Sequence, residues 1–152
     1  MGSLMLMSHV DLSSATAASS PVNVYFGTYT GKASKGIYLS HLDLATGHLS
    51  DPTLVAETQN PGFLSILPNK RFLYSVGEME QGGGVTAWSI DPKSGMLAKL
   101  NAQPSGGTGP THLFVDPAGK NVLVANYSGG SVACRHHSRL PKTVPYCCSY
   151  AW

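Results

Sequence analysis

Two stretches decide the fold: GIYLSHLDLATGHL, from Gly36 to Leu49, and GVTAWSIDPKSGML, from Gly84 to Leu97. Laid one under the other, Gly36, Asp43, Gly47 and Leu49 fall on Gly84, Asp91, Gly95 and Leu97. With one extra residue in the second copy, Pro61 and Pro68 fall on Pro110 and Pro117, and with one more, Leu73 falls on Leu123. A third, partial copy precedes these, since Val24-Tyr25-Phe26-Gly27 aligns with Leu73-Tyr74-Ser75-Val76 and with Leu123-Val124-Ala125-Asn126, and a fourth begins at Val132. The chain is a repeat of about fifty residues, a period that belongs to stacked supersecondary units.

Each copy reads as four short strands. Phe63 to Leu67 and His112 to Val115 follow a proline and stop at Leu67-Pro68 or Asp116-Pro117; short apolar runs so bounded predict strands buried on both faces. Pro68-Asn69-Lys70 and Pro117-Ala118-Gly119-Lys120 carry turn chemistry, with proline fixing φ and Asn or Gly accepting the left-handed region. Second strands follow at Phe72 to Val76 and Val122 to Asn126, third strands at Ile37 to Asp43 and Val85 to Asp91, and fourth strands from near His48 and Met96. No window keeps an apolar stripe at helical spacing without Gly or Pro inside it. Four strands per repeat make an all-β fold, a β-propeller with about two blades present.

Composition agrees. Of 152 residues 42% are hydrophobic, enough for a core, whereas only 12% are charged and 17 Gly with 10 Pro punctuate many short elements. A net charge of +2 without a block of like charges argues against nucleic acid and against an anionic membrane surface as partners, and no apolar stretch approaches the roughly 18 residues of a membrane span. All three cysteines lie after Ala133, so the body has no disulfide. Residues 1 to 21 read as a disordered leader or a signal remnant: Leu4 to Met7 is apolar and Ala15-Thr16-Ala17 resembles a small-residue cleavage site, but no Lys or Arg precedes Lys32, so the cytoplasm is expected, with the periplasm or secretion the alternative should the remnant reading hold.

The segments VYFGTYT (Val24 to Thr30), GIYLSHLDLATG (Gly36 to Gly47), NPGFLSILPNKRFLYSVGE (Asn60 to Glu78) and GPTHLFVDPAGKNVLVANYSGGSV (Gly109 to Val132) together resemble the seven-bladed lactonase family that includes the 6-phosphogluconolactonases. The resemblance covers residues 22 to 133. It implies the N-terminal part of a seven-bladed ring and, as activity, hydrolysis of a sugar lactone such as 6-phosphogluconolactone to the open acid, with no cofactor. After Ala133 the apolar strand that the family would continue gives way to Cys134-Arg135-His136-His137-Ser138-Arg139, so residues 134 to 152 are expected to be an aberrant tail, out of reading frame. Two alternatives stand beside the lactonase: a propeller that only binds a ligand or partner, and a truncated product without activity. An incomplete ring leaves an apolar face at each end, from which self-association and aggregation are expected.

In a propeller the first strand of each blade lines the central channel, and the turns between second and third strands open at the same end. His112 starts a first strand and is the candidate general base for water attacking a lactone carbonyl. Asn126 and Tyr127 end a second strand there and are candidates to bind a sugar hydroxyl or the developing oxyanion. Lys32 and Lys35, in the loop after Tyr29, are the cations placed to meet a phosphorylated substrate, whereas Lys70, Arg71 and Lys120 lie at the other end. Glu78 and Glu80 read as a solvated pair. Gly27 to Ala33 is one residue short of a phosphate-binding loop and lacks its hydroxyl, and Gly82-Gly83-Gly84 and Gly106-Gly107 read as bends, so no nucleotide is implied. Cys134, His136, His137, Cys147 and Cys148 match no zinc spacing, and no metal site is assigned.

Overall fold

The computed structural model describes residues 20–136 and 149–151. Among these the chain is all β, eleven strands in three antiparallel meanders. The first sheet runs β1 (Val22–Gly27), β2 (Gly36–Leu42), β3 (Thr53–Glu57). The second is β4 (Leu64–Ile66), β5 (Phe72–Met79), β6 (Gly82–Ile90), β7 (Leu97–Pro104), and the third β8 (Pro110–Val115), β9 (Asn121–Asn126), β10 (Ser131–His136), β11 (Ser149–Ala151). Two blades therefore have four strands, and one has the second, third and fourth. No helix of the described residues is long and apolar enough to cross a membrane. The leader up to residue 19, and His137, Cys147 and Cys148, lie outside the described residues.

The repeated turns form as their residue types require. Asp43 Oδ1 accepts the backbone N–H of Ala45 at 2.8 Å, and Asp91 Oδ1 those of Ser94 at 2.7 Å and Lys93 at 3.0 Å. These amides hold both carboxyls below the usual carboxylate range. Each turn closes on a glycine at φ 72°, Gly47 or Gly95, a conformation that costs glycine little.

Two cores lie between the sheets. Ile37, Leu39, Val55 and Ala56 of the first sheet meet Leu73 and Trp88 of the second, and the indole N–H of Trp88 donates to Ser75 Oγ at 3.0 Å. On its other face the second sheet places Leu67, Tyr74, Val76, Val85 and Ala87 against Leu113, Val115, Val122, Val124 and Ala133 of the third. Burial pushes the Tyr74 hydroxyl pKa up to about 12. Tyr25 spans the first interface, its hydroxyl donating to the Gly95 carbonyl at 2.7 Å.

Four expectations need correction. The extra residue placed before Leu123 does not exist: Leu64 pairs with Ser75 and Leu113 with Val124, so Leu73 corresponds to Val122 and Tyr74 to Leu123. The cause is that Lys70 adopts φ 55° where Gly119 adopts φ 65°, so the two turns have the same length although one lacks glycine. Second, the fourth strand of the first copy begins at Thr53, not near His48. There Ser50 Oγ accepts the His41 N–H at 2.9 Å and Pro52 has no N–H to give, so regular pairing is interrupted after the single bridge between Leu42 and Leu49. Third, β8 is buried on one face only, with His112 and Phe114 exposed while Leu113 and Val115 are buried, whereas the run Phe63 to Leu67 reaches both cores, through Leu64 on one face and Phe63 and Leu67 on the other. Finally, strand pairing does not stop at Cys134. Cys134, Arg135 and His136 pair with Leu123, Val122 and Asn121, and β11 adds a fourth strand. A backbone ladder with β9 needs no apolar side chains to extend.

A test of the turn argument follows. A Cβ on Gly119 would stand 2.5 Å from Leu67 Cδ2, a buried atom, whereas one on Gly47, at similar φ, meets nothing within 4 Å. Gly47→Ala is expected to cost about 1 kcal/mol for the backbone conformation alone, and Gly119→Ala about 1–2 kcal/mol more for overpacking. Urea unfolding of the two variants measures the difference.

Candidate functional site

The turns between β5 and β6 and between β9 and β10 lie at the same end as the starts of β4 and β8. The loop between β1 and β2 joins them there. Thr30 donates its backbone N–H and its hydroxyl to Asn60 Oδ1, at 2.8 and 3.0 Å, just ahead of β4. Asn60 takes φ 47° and its counterpart Gly109 φ 60°, so the chain enters both first strands through the same left-handed bend followed by a proline. The one carries a side chain that clamps the neighbouring blade.

His112 is placed by a bulge. Pro110 pairs with Asn126 and His112 with Ala125, which leaves Thr111 as the extra residue. Bulges re-aim the following side chains. His112 and Phe114 then face away from the second sheet while Leu113 and Val115 face into it. The repeat makes His112 the counterpart of Phe63, and the two rings touch with centroids 4.2 Å apart at 45°. Equivalent positions on successive first strands thus sit side by side around the channel. The imidazole is exposed and has no hydrogen-bond partner among the described residues.

Asn126 and Tyr127 adjoin this strand start, and the Tyr127 N–H donates to the Gly109 carbonyl at 2.8 Å. They divide the roles that the sequence assigned jointly. Tyr127 is 82% exposed at the turn, but Asn126 is 2% exposed and points inward. Its Nδ2 donates to the Ser105 carbonyl and to Ser131 Oγ, both at 3.2 Å, tying the end of one blade to the next blade, while Oδ1 has no partner among the described residues. Gly107 makes room for it: a Cβ there would come within 2.7 Å of Asn126 Nδ2.

Lys32 and Lys35 lie on the clamped loop, both exposed. Lys35 Nζ stands 3.9 Å from Glu57 Oε1, with both side chains about 70% exposed, a pair worth about 0–1 kcal/mol and easily exchanged for another anion. Glu78 and Glu80 are exposed at the β5–β6 turn. Sequence reasoning passed over Asn60 and Phe63; their repeat equivalence to Gly109 and His112 is the signal that finds them.

A family model described as "Lactonase, 7-bladed beta-propeller" matches residues 23–142. A 6-phosphogluconolactonase of Bacillus subtilis is 43% identical over 108 residues, 71% of this chain and 31% of the relative. One of Formosa agariphila is 31% identical over 113 residues, 72% of this chain and 32% of that protein. Among solved structures, the periplasmic gluconolactonase of Pseudomonas aeruginosa superposes with a TM-score of 0.71 at 32% identity, over 79% of this chain and 36% of that one. The chain spans about a third of the length of the relatives it matches.

The Asn126 tie predicts a specific pattern of loss. Asn126→Ala leaves the Ser105 carbonyl without its donor and is expected to cost about 1–3 kcal/mol. Asn126→Asp, nearly the same shape, is expected to cost at least as much, because a carboxylate cannot donate and is buried as a charge. Urea midpoints at neutral pH measure both.

Proposed function

Because the chain belongs to the seven-bladed β-propeller lactonases, we propose that it supplies part of the active site of an enzyme that hydrolyses a sugar lactone to the open acid. The observation that carries the reading is the 43% identity to a protein named 6-phosphogluconolactonase. The site geometry supports it: an imidazole that is exposed and has no hydrogen-bond partner among the described residues, at the same end as the 82% exposed ring of Tyr127.

In this reading His112 accepts a proton from water as the oxygen attacks the lactone carbonyl. The tetrahedral oxyanion collapses, the ring C–O bond breaks, and the proton passes from His112 to the departing ring oxygen. Tyr127 donates its hydroxyl to the oxyanion or to a sugar hydroxyl, and Asn126 ties the blade that carries both His112 and Tyr127 to the end of the preceding blade at Ser105. Lys32 and Lys35 meet a phosphate if the sugar carries one. The chemistry uses no cofactor.

In a complete seven-bladed protein that carries residues 22–133, His112→Ala is expected to lower the rate of sugar-lactone hydrolysis by roughly ten- to a thousandfold, followed by acid release at constant pH. An unchanged rate removes His112 from the chemistry. A complete protein that binds the sugar acid but hydrolyses no sugar lactone marks a binding module instead.

A further inference from the structure

We propose that Asn60 is a positioning residue for substrate selectivity: by holding Thr30 it aims the loop between β1 and β2, and with it the two lysines that tell a phosphorylated lactone from an unphosphorylated one. The role rests on the lactonase reading, with Lys32 and Lys35 as the cations of its site.

Asn60 stands on a segment wedged between two sheets. Pro61 is fully buried, and a Cβ on Gly27, at the end of β1, would collide with the Pro61 carbonyl oxygen. On the other side the Gln59 carbonyl accepts the N–H of Glu78 in β5 at 3.2 Å, and a Cβ on Gly77 would stand 2.8 Å from the same oxygen. Within the segment the Gly62 N–H donates to the Asn60 carbonyl at 2.7 Å. A side chain mounted there starts from a fixed origin.

The loop it holds has bonds of its own. The Thr28 hydroxyl donates to the Gly36 carbonyl at 2.7 Å and meets the Ser34 hydroxyl, closing the base. The Gly31 N–H donates to the Ser34 carbonyl at 2.9 Å, with Lys32 and Ala33 between them. Lys35 donates its N–H to the Tyr38 hydroxyl at 3.2 Å, and its carbonyl accepts the Thr58 N–H at 3.2 Å. These bonds stay within the first sheet and its connections, so they give the loop a shape but no bearing toward the next blade. The bearing comes from Asn60 Oδ1, which accepts both the N–H and the hydroxyl of Thr30, at 2.8 and 3.0 Å. From Thr28 to Gly36 the loop carries two lysines and no Asp or Glu. A lysine is a point charge on a flexible stem, so how well two of them converge on one phosphate depends on where the backbone holds them.

The repeat separates the amide from the bend beneath it. Gly109, the counterpart of Asn60, takes φ 60° where Asn60 takes φ 47°. Glycine therefore supports the same bend, and what asparagine adds is the bond to Thr30. Asn60→Gly removes that bond and keeps the backbone.

The test compares 6-phosphogluconolactone with gluconolactone as substrates of a complete seven-bladed protein that carries residues 22–133. Asn60→Gly is expected to raise KM for the phosphorylated lactone by roughly three- to tenfold, the worth of about one hydrogen bond, with kcat little changed and no matching rise for the unphosphorylated one. Thr30→Val keeps the amide bond but loses the hydroxyl, and is expected to shift the same KM by less. It carries the test should circular dichroism show that Asn60→Gly has lost its β structure. Lys32→Ala combined with Lys35→Ala is expected to raise that KM by roughly tenfold or more. A double variant that behaves like the wild type shows that the lysines do not meet the phosphate, and the proposal falls with them. If the double variant shows its loss while Asn60→Gly and Thr30→Val do not, or if those two weaken both lactones alike, the lysines stand and the positioning role of Asn60 is overturned. A wild type that hydrolyses neither lactone overturns the lactonase reading and this role with it.

Discussion

The structure depends on sheets burying their faces against one another. Within a sheet the strands supply only hydrogen bonds, and a meander of three or four short strands is marginal until a face is covered. What makes the described residues a folded unit is the pair of cores between successive sheets: Ile37, Leu39 and Val55 against Leu73 and Trp88, then Tyr74, Val76 and Val85 against Leu113, Val122 and Val124. The second sheet is buried on both faces because, among the described sheets, it alone has a neighbour on each side. That explains why β5 is nearly continuous in apolar burial from Leu73 to Gly77, while β9 alternates between Val122, Leu123 and Val124. The difference between those strands lies in their neighbours rather than in their propensity.

The same constraint decides what was legible in the sequence. Turns and strand existence were, because Asp43 to Gly47 and Asp91 to Gly95 encode their hydrogen bonds locally, in an Asp side chain and a glycine at fixed spacing. Register was less so. Lys70 gives no compositional sign that it takes a left-handed φ, so the turn before β5 reads as different in length from the turn at Gly119 although the two have the same geometry. Burial on β8 departs from the expectation for a related reason: a short apolar run such as Leu113 to Val115 is compatible with one covered face or two, and only tertiary neighbours choose, whereas the run Phe63 to Leu67 is covered on both. Nor does side-chain pattern announce the end of β10, whose ladder with β9 carries Arg135 and His136 along with it.

For the candidate site, position was readable and orientation was not. The repeat puts His112 at the start of a first strand and Asn126 with Tyr127 beside it, which the structure also places at one end. Which way each side chain points depends on the bulge at Thr111 and on the glycine at 107, whose missing Cβ lets Asn126 turn inward. Neither follows from residue type at one position. Pairs of positions carry more information: once Phe63 and His112 are recognised as equivalent, their contact across the blade boundary follows from the ring geometry.

That equivalence bears on how a repeat protein acquires a site at all. Identical blades would place identical side chains around the channel, and a ring of equal groups has no preferred orientation for an asymmetric ligand such as a sugar. Here one repeat position holds an aromatic hydrocarbon in one blade and a titratable imidazole in the next, and a second holds Asn60, whose amide clamps the preceding loop, where the next blade has Gly109. The backbone is conserved between the blades in φ and in strand pairing while the chemistry is not. The fold therefore fixes where groups converge, and divergence at the first-strand position and in the bend before it fixes what converges there. Phe63, His112 and Tyr127 therefore stand at this end in one order only, an asymmetry that identical blades would lack.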